Sequence, residues 1–530
     1  MRKNLPLLGT IIESKRQFFM KRKIKMARII IIGGGVSGLS AGIYAQMNGH
    51  SAVVCERQAV AGGNLTGWKR GNYEIDNCIH WLTGTNPATS TYKMWEELGA
   101  LGDVEVYQSE TLYSCRKDGE ELSLNKDISR LRHDMLSISP ADKRETEALI
   151  NAVALMQRLC SIGGADHNEG LDGIKSILHF PTLAKYYFLT AKELSERFKH
   201  PLLREFVRTF WGDDFGALAL IFVFAHFCGE NGGIPQYGSR GMASRMSDRF
   251  KSLGGELLLK KEASKIVLDG KKAKSVRFSD ETELEADYVV ITTDPALAFS
   301  GLLDAPMPSQ IKKMYDNPRL KRFSSVQCAF SCRSSFLPFR GDLIINIPKK
   351  HIHALGCDRL VLREFSHEKA YAPEGETVIQ AMAFCDESRS LEFIRQRKQD
   401  KAAYNKAKQR FADIAQGLIQ KNLPELDGDL KLLDVWTPAT YQRYTDSQIG
   451  SYMSFILPSK AIPARKSNRI KGLPNVILAT QWQQCPGGLP IAASGGRAAI
   501  KTINALEGRA RSPKTQLSPP RPAIESNFSH

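Results

Sequence analysis

A chain of 530 residues is longer than one simple core can hold, so two to four domains or a large two-lobed body are expected. Hydrophobic residues at 42% and charged residues at 24% are ordinary for a globular protein and exclude a fibrous or wholly disordered chain. The formal charge of +17 suggests nucleic acid, but residues 1–28 hold nine Lys/Arg against one acid and residues 501–530 hold five against two, so the ends supply 11 of the 17 charges, and the body shows no basic stripe with interleaved aromatics.

In chain order, residues 1–25 are basic but lack an apolar h-region and a cleavage site, which excludes a signal peptide. They read as an extension outside the fold, or as a start codon assigned too early. Basic ends gain roughly 1 kcal/mol per Lys/Arg at an anionic membrane surface, although a solvated tail is the simpler reading. Ala27–Ile32 is a β-branched run typical of a buried parallel strand. A glycine turn follows, then helical spacing over Val36–Asn48 with Gly49 as a stop, then a strand at Ser51–Cys55.

Ser139-Pro140 opens a helix running to about Cys160, and helix-rich sequence continues over Leu178–Phe227. A helix is expected at Gly241–Leu253, with short strands at Glu256–Leu259, Ser264–Leu268, Lys274–Phe278 and Tyr288–Thr292. Residues 323–332, 342–347, 359–365 and 377–385 read as a second, largely antiparallel sheet, and long charged helices fill about 387–422. Asn475–Thr480 is a last strand and Leu489–Leu506 a last helix; beyond Gly508 the Pro/Ser/Arg mixture predicts disorder. Phe215–Phe227, the longest apolar stretch, falls short of the roughly 18 residues that span a bilayer. The ten cysteines are scattered without CxxC spacing, which favours a reducing compartment and argues against a zinc or other metal site. The expected location is the cytoplasm, with peripheral membrane contact open.

Gly33-Gly34-Gly35-Val36-Ser37-Gly38 matches GxGxxG between a strand and a helix, and Glu56 lies 23 residues after Gly33 at the end of the next strand. Gly33 permits the tight turn, Gly35 lets backbone approach a pyrophosphate, and Gly38 lets the helix pack on the sheet. The helix N-terminus offers free N–H groups to phosphate. Glu56 can accept hydrogen bonds from ribose hydroxyls. This much specifies a dinucleotide.

From Ile29 to Gly84 the sequence resembles the opening of the amine oxidase and phytoene desaturase superfamily. The resemblance rests on Gly62-Gly63 in ERQAVAGGNL and on Tyr73-Glu74-Ile75-Asp76-Asn77-Cys78-Ile79-His80, followed by Trp81, with Cys78 where the family often has glycine. It returns at Tyr237-Gly238-Ser239-Arg240-Gly241-Met242, at Ala286–Ile291, and at Leu473–Thr480 with Pro486-Gly487-Gly488-Leu489-Pro490; Thr480 stands where glycine is usual. It implies FAD as cofactor and an α/β fold with a Rossmann-like FAD-binding domain of the glutathione reductase type. That domain is discontinuous (26–85, 235–300, 470–506) and carries a mixed α+β substrate domain with a helical cap (86–234, 301–469), outside which lie 1–25 and a 507–530 tail. Cofactor contacts are expected at Gly33, Gly35, Val36, Ser37, Gly38, Glu56, Arg57, Gly62, Gly63, Asn64, Gly487, Gly488, Leu489 and Pro490, the last helix aiming its N-terminus at the flavin.

No second GxGxxG and no dithiol pair follow, so hydride exchange directly with substrate is expected, with NAD(P) one open choice of electron donor or acceptor. The likeness is greatest to phytoene desaturases and retinol saturases, including Trp436–Tyr444, which resembles a family segment near the flavin. It implies hydrogen transfer at C–C bonds of an apolar isoprenoid or polyene. His80 and Trp81 are the candidates near the reacting carbon, His80 as a hydrogen-bond or proton donor. Arg240 reads equally as a pyrophosphate counter-charge or a surface residue, and His226 as a satisfied core histidine. Phe180–Thr190 and Phe215–Phe227 read first as helical core and otherwise as an isoprenoid tunnel or membrane-facing mouth. Two alternatives stand: a flavin amine oxidase, and a non-catalytic lipid-binding protein like the GDP-dissociation inhibitors of prenylated GTPases.

Overall fold

The computed structural model describes residues 26–161, 180–208, 212–461 and 465–509. The N-terminal extension and the tail beyond residue 509 lie outside the described residues. Six strands form the first sheet, in the order Glu256–Leu258, Ser51–Cys55, Arg28–Ile32, Tyr288–Ile291, Leu473–Leu478, Arg469–Ile470. The first five run parallel, and only the edge strand Arg469–Ile470 turns back.

Arg28–Ile32 is central, and its uninterrupted isoleucines follow from burial on both faces. Ile29 and Ile31 join the core of Val36–Met47 and the closing helix Leu489–Leu506, while Ile30 and Ile32 join the core beneath the strands Ala263–Asp269 and Lys272–Phe278. Val36–Met47 is buried from Val36 through Ala45, so it shows little amphipathicity and is apolar nearly all round. The closing helix crosses it closely: a Cβ on Gly496 would lie 2.5 Å from both Ala41 N and Ser37 O. Ser37 Oγ and Ser40 Oγ donate to the carbonyls of Ala492 and Ala493, both at 2.7 Å.

The second sheet has seven strands, in the order Lys431–Trp436, Ser324–Arg333, Glu376–Cys385, Arg359–Glu364, Asp342–Asn346, Thr111–Lys117, Glu120–Asn125. All pairs are antiparallel except Asp342–Asn346 with Thr111–Lys117. Helices Glu387–Gln399 and Lys401–Asn422 cover one face, burying Leu343, Leu362, Ala381 and Ala383 with Phe411 and Ile419. The other face looks into the interior. Alternation of side chains thus divides the central strands, Asp342–Asn346, Arg359–Glu364 and Glu376–Cys385, between a helix-covered core and a cavity wall.

The sequence reading assigns no strand between residues 86 and 234, and the hairpin Thr111–Lys117/Glu120–Asn125 corrects it. Its signal was present: Asp118-Gly119 takes φ of 51° and 86°, the pair of positive angles a tight hairpin turn needs. Strand Lys431–Trp436 also escaped the reading. The charged helices expected over 387–422 are two, Glu387–Gln399 and Lys401–Asn422, which meet at Asp400, whose side chain caps the second. Phe215–Phe227 is a buried helix over Ala217–Cys228, and among the described residues no helix is long and apolar enough to cross a membrane.

Candidate active site

The glycine turn is built by contacts across the first sheet. Gly33 N donates to Cys55 O at 2.9 Å and Gly62 N to Gly34 O at 2.8 Å, so the second glycine pair lies on the first. Gly33, Gly62 and Gly63 take φ of 103°, 129° and 62°, angles that side chains rarely adopt. Gly38 does not face ligand space: a Cβ there would sit 1.9 Å from Gly33 O, so this glycine permits the helix to begin under the turn. Val36–Met47 starts without a capping side chain or an acid in its first turn, leaving its first N–H groups for a ligand. Leu489–Leu506 also starts without a capping side chain, from Gly488.

Both helix starts open on one cavity of about 1100 Å³. Gly33, Gly35, Val36, Ser37, Glu56, Arg57, Gly62, Gly63 and Asn64 line it, together with Gly487, Gly488, Leu489 and Pro490. Glu56 Oε2 accepts from Gly34 N and Oε1 from Gln58 N, each at 2.8 Å, while burial pushes its carboxyl pKa up. Arg57 is held at the rim by Glu262 and Asp446, at 3.6 and 3.5 Å. Asn64 Oδ1 is buried without a hydrogen-bond partner, an acceptor that a bound group would satisfy. Two uncapped helix starts, bare glycine backbone and this orphaned acceptor fit a dinucleotide that carries phosphates at one end and a polar ring system at the other.

The Tyr73–Trp81 segment joins this end to the second sheet. Asp76 Oδ2 accepts from Ser239 N at 2.7 Å and from Tyr371 Oη at 2.8 Å, and its carbonyl accepts from Gln380 Nε2 at 2.8 Å. Gly238 has φ of 51°, and a Cβ on it would lie 2.1 Å from both Asp76 Oδ2 and Tyr371 Oη. The two motifs, more than 150 residues apart, therefore meet on one carboxylate. Tyr441 Oη donates to Asn77 Oδ1 at 3.0 Å and receives Trp436 Nε1 and Gln327 Nε2 at 3.0 and 2.8 Å, which brings the Trp436–Tyr444 segment to the same place. Cys78 tolerates its position because no positive φ is required there. Thr480 likewise is extended, at φ −124°, and its side chain caps Trp482.

His80 and Trp81 both line the cavity, beside Ile344, Val361, Met382 and Phe384 of the second sheet and Leu218 and Phe222 of the buried helix. Burial first, and then the Arg363 charge, holds the His80 pKa well below 6.5. A ring held neutral can donate or accept a hydrogen bond, which is the first of the two roles expected for His80. Arg240 lies on the surface, paired with Glu74 at 3.1 Å, and takes no part in the cavity. His226 is satisfied in the core, with Nδ1 2.7 Å from Asn231 Nδ2. Sequence reasoning passed over Asp342, Gln327 and Tyr452, which line the cavity from elements distant in the chain.

The profile of one family, flavin containing amine oxidoreductase, matches residues 36–499, which begins just after Gly35 and takes in the helix from Val36, the Asp76 junction and most of the closing helix. The chain belongs to this family. It is an FAD-dependent oxidoreductase. Among curated relatives it is 21% identical over 446 residues to a chloroplastic prolycopene isomerase of Daucus carota, covering 80% of this chain and 71% of that protein. It is 20% identical over 509 residues to a 4,4'-diaponeurosporene oxygenase of Staphylococcus haemolyticus, covering 91% and 97%. Against a neurosporene-forming phytoene desaturase of Rhodobacter capsulatus the identity is 24% over 289 residues, covering 52% and 54%. The structure of a putrescine oxidase bound to putrescine shares the fold at 15% identity with a TM-score of 0.58, covering 90% of this chain and 99% of that one.

Proposed function

We propose that this flavin oxidoreductase moves hydrogen at a C–C bond of an apolar, isoprenoid or polyene substrate. The observation that carries the reading is the substrate wall. In the same cavity as the closing glycine loop, one row of the second sheet presents Ile344, Val361 and Met382, and the buried helix presents Leu218, Phe222 and Val223. The cavity exceeds the usual range of about 300–1,000 Å³ for a small-ligand site, which accommodates cofactor and substrate together. The named activities of the carotenoid-processing relatives point the same way.

Bound FAD supplies two-electron transfer. Gly33, Gly35, Gly62 and Gly63 with the start of Val36–Met47 would hold its phosphates, and Glu56 its ribose. Gly487–Pro490 and the start of the closing helix would sit at the ring system. The apolar wall excludes water and orients the polyene, while neutral His80 supplies one hydrogen bond at the polar edge. An amine substrate suits this wall poorly: its Asp342 carboxylate is already matched by Arg363, leaving no unbalanced anion for an ammonium. Helix Pro181–Tyr187 puts Tyr187 on the cavity and leaves Phe188 56% exposed beside it, which supports an apolar entrance and peripheral membrane contact.

The test is the visible spectrum of the purified protein under anaerobic conditions, on addition of polyenes, amines and NAD(P)H in turn. Flavin bands that bleach or recover with a polyene are expected, and the NAD(P)H arm decides whether nicotinamide is an electron partner. Bleaching by amines and by no polyene would overturn the proposal.

A further inference from the structure

The cavity face of the second sheet is arranged in two rows. Pairing places Ile344 opposite Val361 and Val361 opposite Met382, an apolar row. One step along the same face, Asp342 stands opposite Arg363 and Arg363 opposite Gln380, a polar row. The period of two makes both rows face the same way. Arg363 Nε donates to Asp342 Oδ1 at 2.8 Å and Nη2 to Oδ2 at 2.5 Å, with the side chains 8% and 11% exposed.

Desolvating such a pair consumes most of its attraction, and apolar residues of similar volume commonly serve a core as well or better. The pair is therefore a poor device for stability, and it opens on a cavity: Asp342 lines it, as does His80. The carboxylate receives hydrogen bonds only from Arg363 among the described residues, so lone pairs remain on both oxygens. Among the described residues no hydrogen bond reaches Arg363 Nη1 or the His80 ring. Arg363 stands behind the lining and holds the carboxylate, so the cluster offers acceptors from Asp342 and either a donor or an acceptor from His80, at zero net charge. A pure hydrocarbon would use none of these. A carboxylate or an ammonium would find no uncompensated counter-charge.

We propose that Asp342, held by Arg363, and His80 form a seat for a neutral oxygen function, a hydroxyl or a carbonyl, carried by the polyene substrate. This rests on the polyene reading above and specifies its substrate class. The apolar row takes the chain and the polar row fixes which end enters, which sets the C–C bond presented to the flavin.

The experiment uses FAD-loaded protein and one polyene skeleton as hydrocarbon, terminal alcohol, aldehyde and carboxylic acid, with binding read from flavin fluorescence. The wild type should bind the alcohol or the aldehyde about tenfold to a hundredfold more tightly than the hydrocarbon, the value of one hydrogen bond to a charged group. Whichever binds better identifies the oxygen function. Asp342→Asn leaves the Arg363 charge unbalanced and should improve binding of the carboxylic acid by about tenfold, a gain that a misfolded protein cannot mimic. The double variant Asp342→Leu/Arg363→Met keeps the volume and should bind the hydrocarbon as well as wild type while losing the preference for oxygen. Equal binding of hydrocarbon and alcohol by wild type, or an unchanged preference in the double variant, overturns the inference and leaves the polyene reading intact. If no polyene of any kind binds, both fall together.

Discussion

The crossing of the closing helix over Val36–Met47 makes one prediction sharp, because the same chemical change elsewhere should have the opposite sign. Gly496→Ala places a methyl 2.5 Å from Ala41 N and from Ser37 O, and 2.8 Å from Ser40 Cβ. The two nearest atoms are backbone and cannot rotate away, so the helices must separate. Overpacking of this kind costs about 1–3 kcal/mol. Separation also lengthens the Ser37 and Ser40 hydrogen bonds to Ala492 and Ala493, two hydroxyl contacts worth about 1 kcal/mol each. Both helix starts that face the cavity move with it, so FAD retention should fall with stability. Gly417 sits exposed inside Lys401–Asn422, and a Cβ there meets no heavy atom within 4 Å. Gly417→Ala should therefore stabilise by up to about 1 kcal/mol through helix propensity alone. Denaturant melts of holoprotein and FAD dissociation constants would be measured for both variants. Equal effects, or tight FAD binding in Gly496→Ala, would refute the claim that this crossing places the flavin end.

Asp76→Asn should destabilise by about 1–3 kcal/mol, because the carboxylate accepts at both oxygens, Oδ2 from Ser239 N and Tyr371 Oη and Oδ1 from Cys78 N and Ser239 Oγ, and an amide keeps one acceptor and adds a misplaced donor; unchanged thermal unfolding would count against the junction. Thr480→Gly, a change toward the residue usual in the family, should cost about 1 kcal/mol rather than help, since the threonine is extended and caps Trp482; a gain in melting temperature would contradict this. Folding lowers the His80 pKa below 6.5, so its contribution to stability is complete above that value and is lost as pH falls toward the folded value, where the unfolded chain takes a proton the folded one resists. Wild type should accordingly lose stability on acidification more steeply than His80→Gln, and parallel stability–pH curves would show that the ring is not buried as described.

Sequence alone determined the nucleotide half of the molecule. Its signals are local: an unbroken isoleucine strand, glycines at the spacing of a turn, and an acid at the end of the next strand each state a backbone requirement within about 30 residues. The closing helix was equally legible, at Leu489–Leu506 to the residue. The cavity wall was not. Asp342, Arg363 and Gln380 look like unrelated polar residues in strands until pairing sets them in one row, and register is a property of neighbouring strands rather than of any one of them. The same holds for Asp76, whose partner Tyr371 is 295 residues away, and for His80, whose pKa burial and then Arg363 lower. Turns and glycine fingerprints are written in φ and ψ, which a short segment settles by itself. Cavity polarity and pKa depend on what the folded chain packs beside a side chain, so tertiary structure alone decided them.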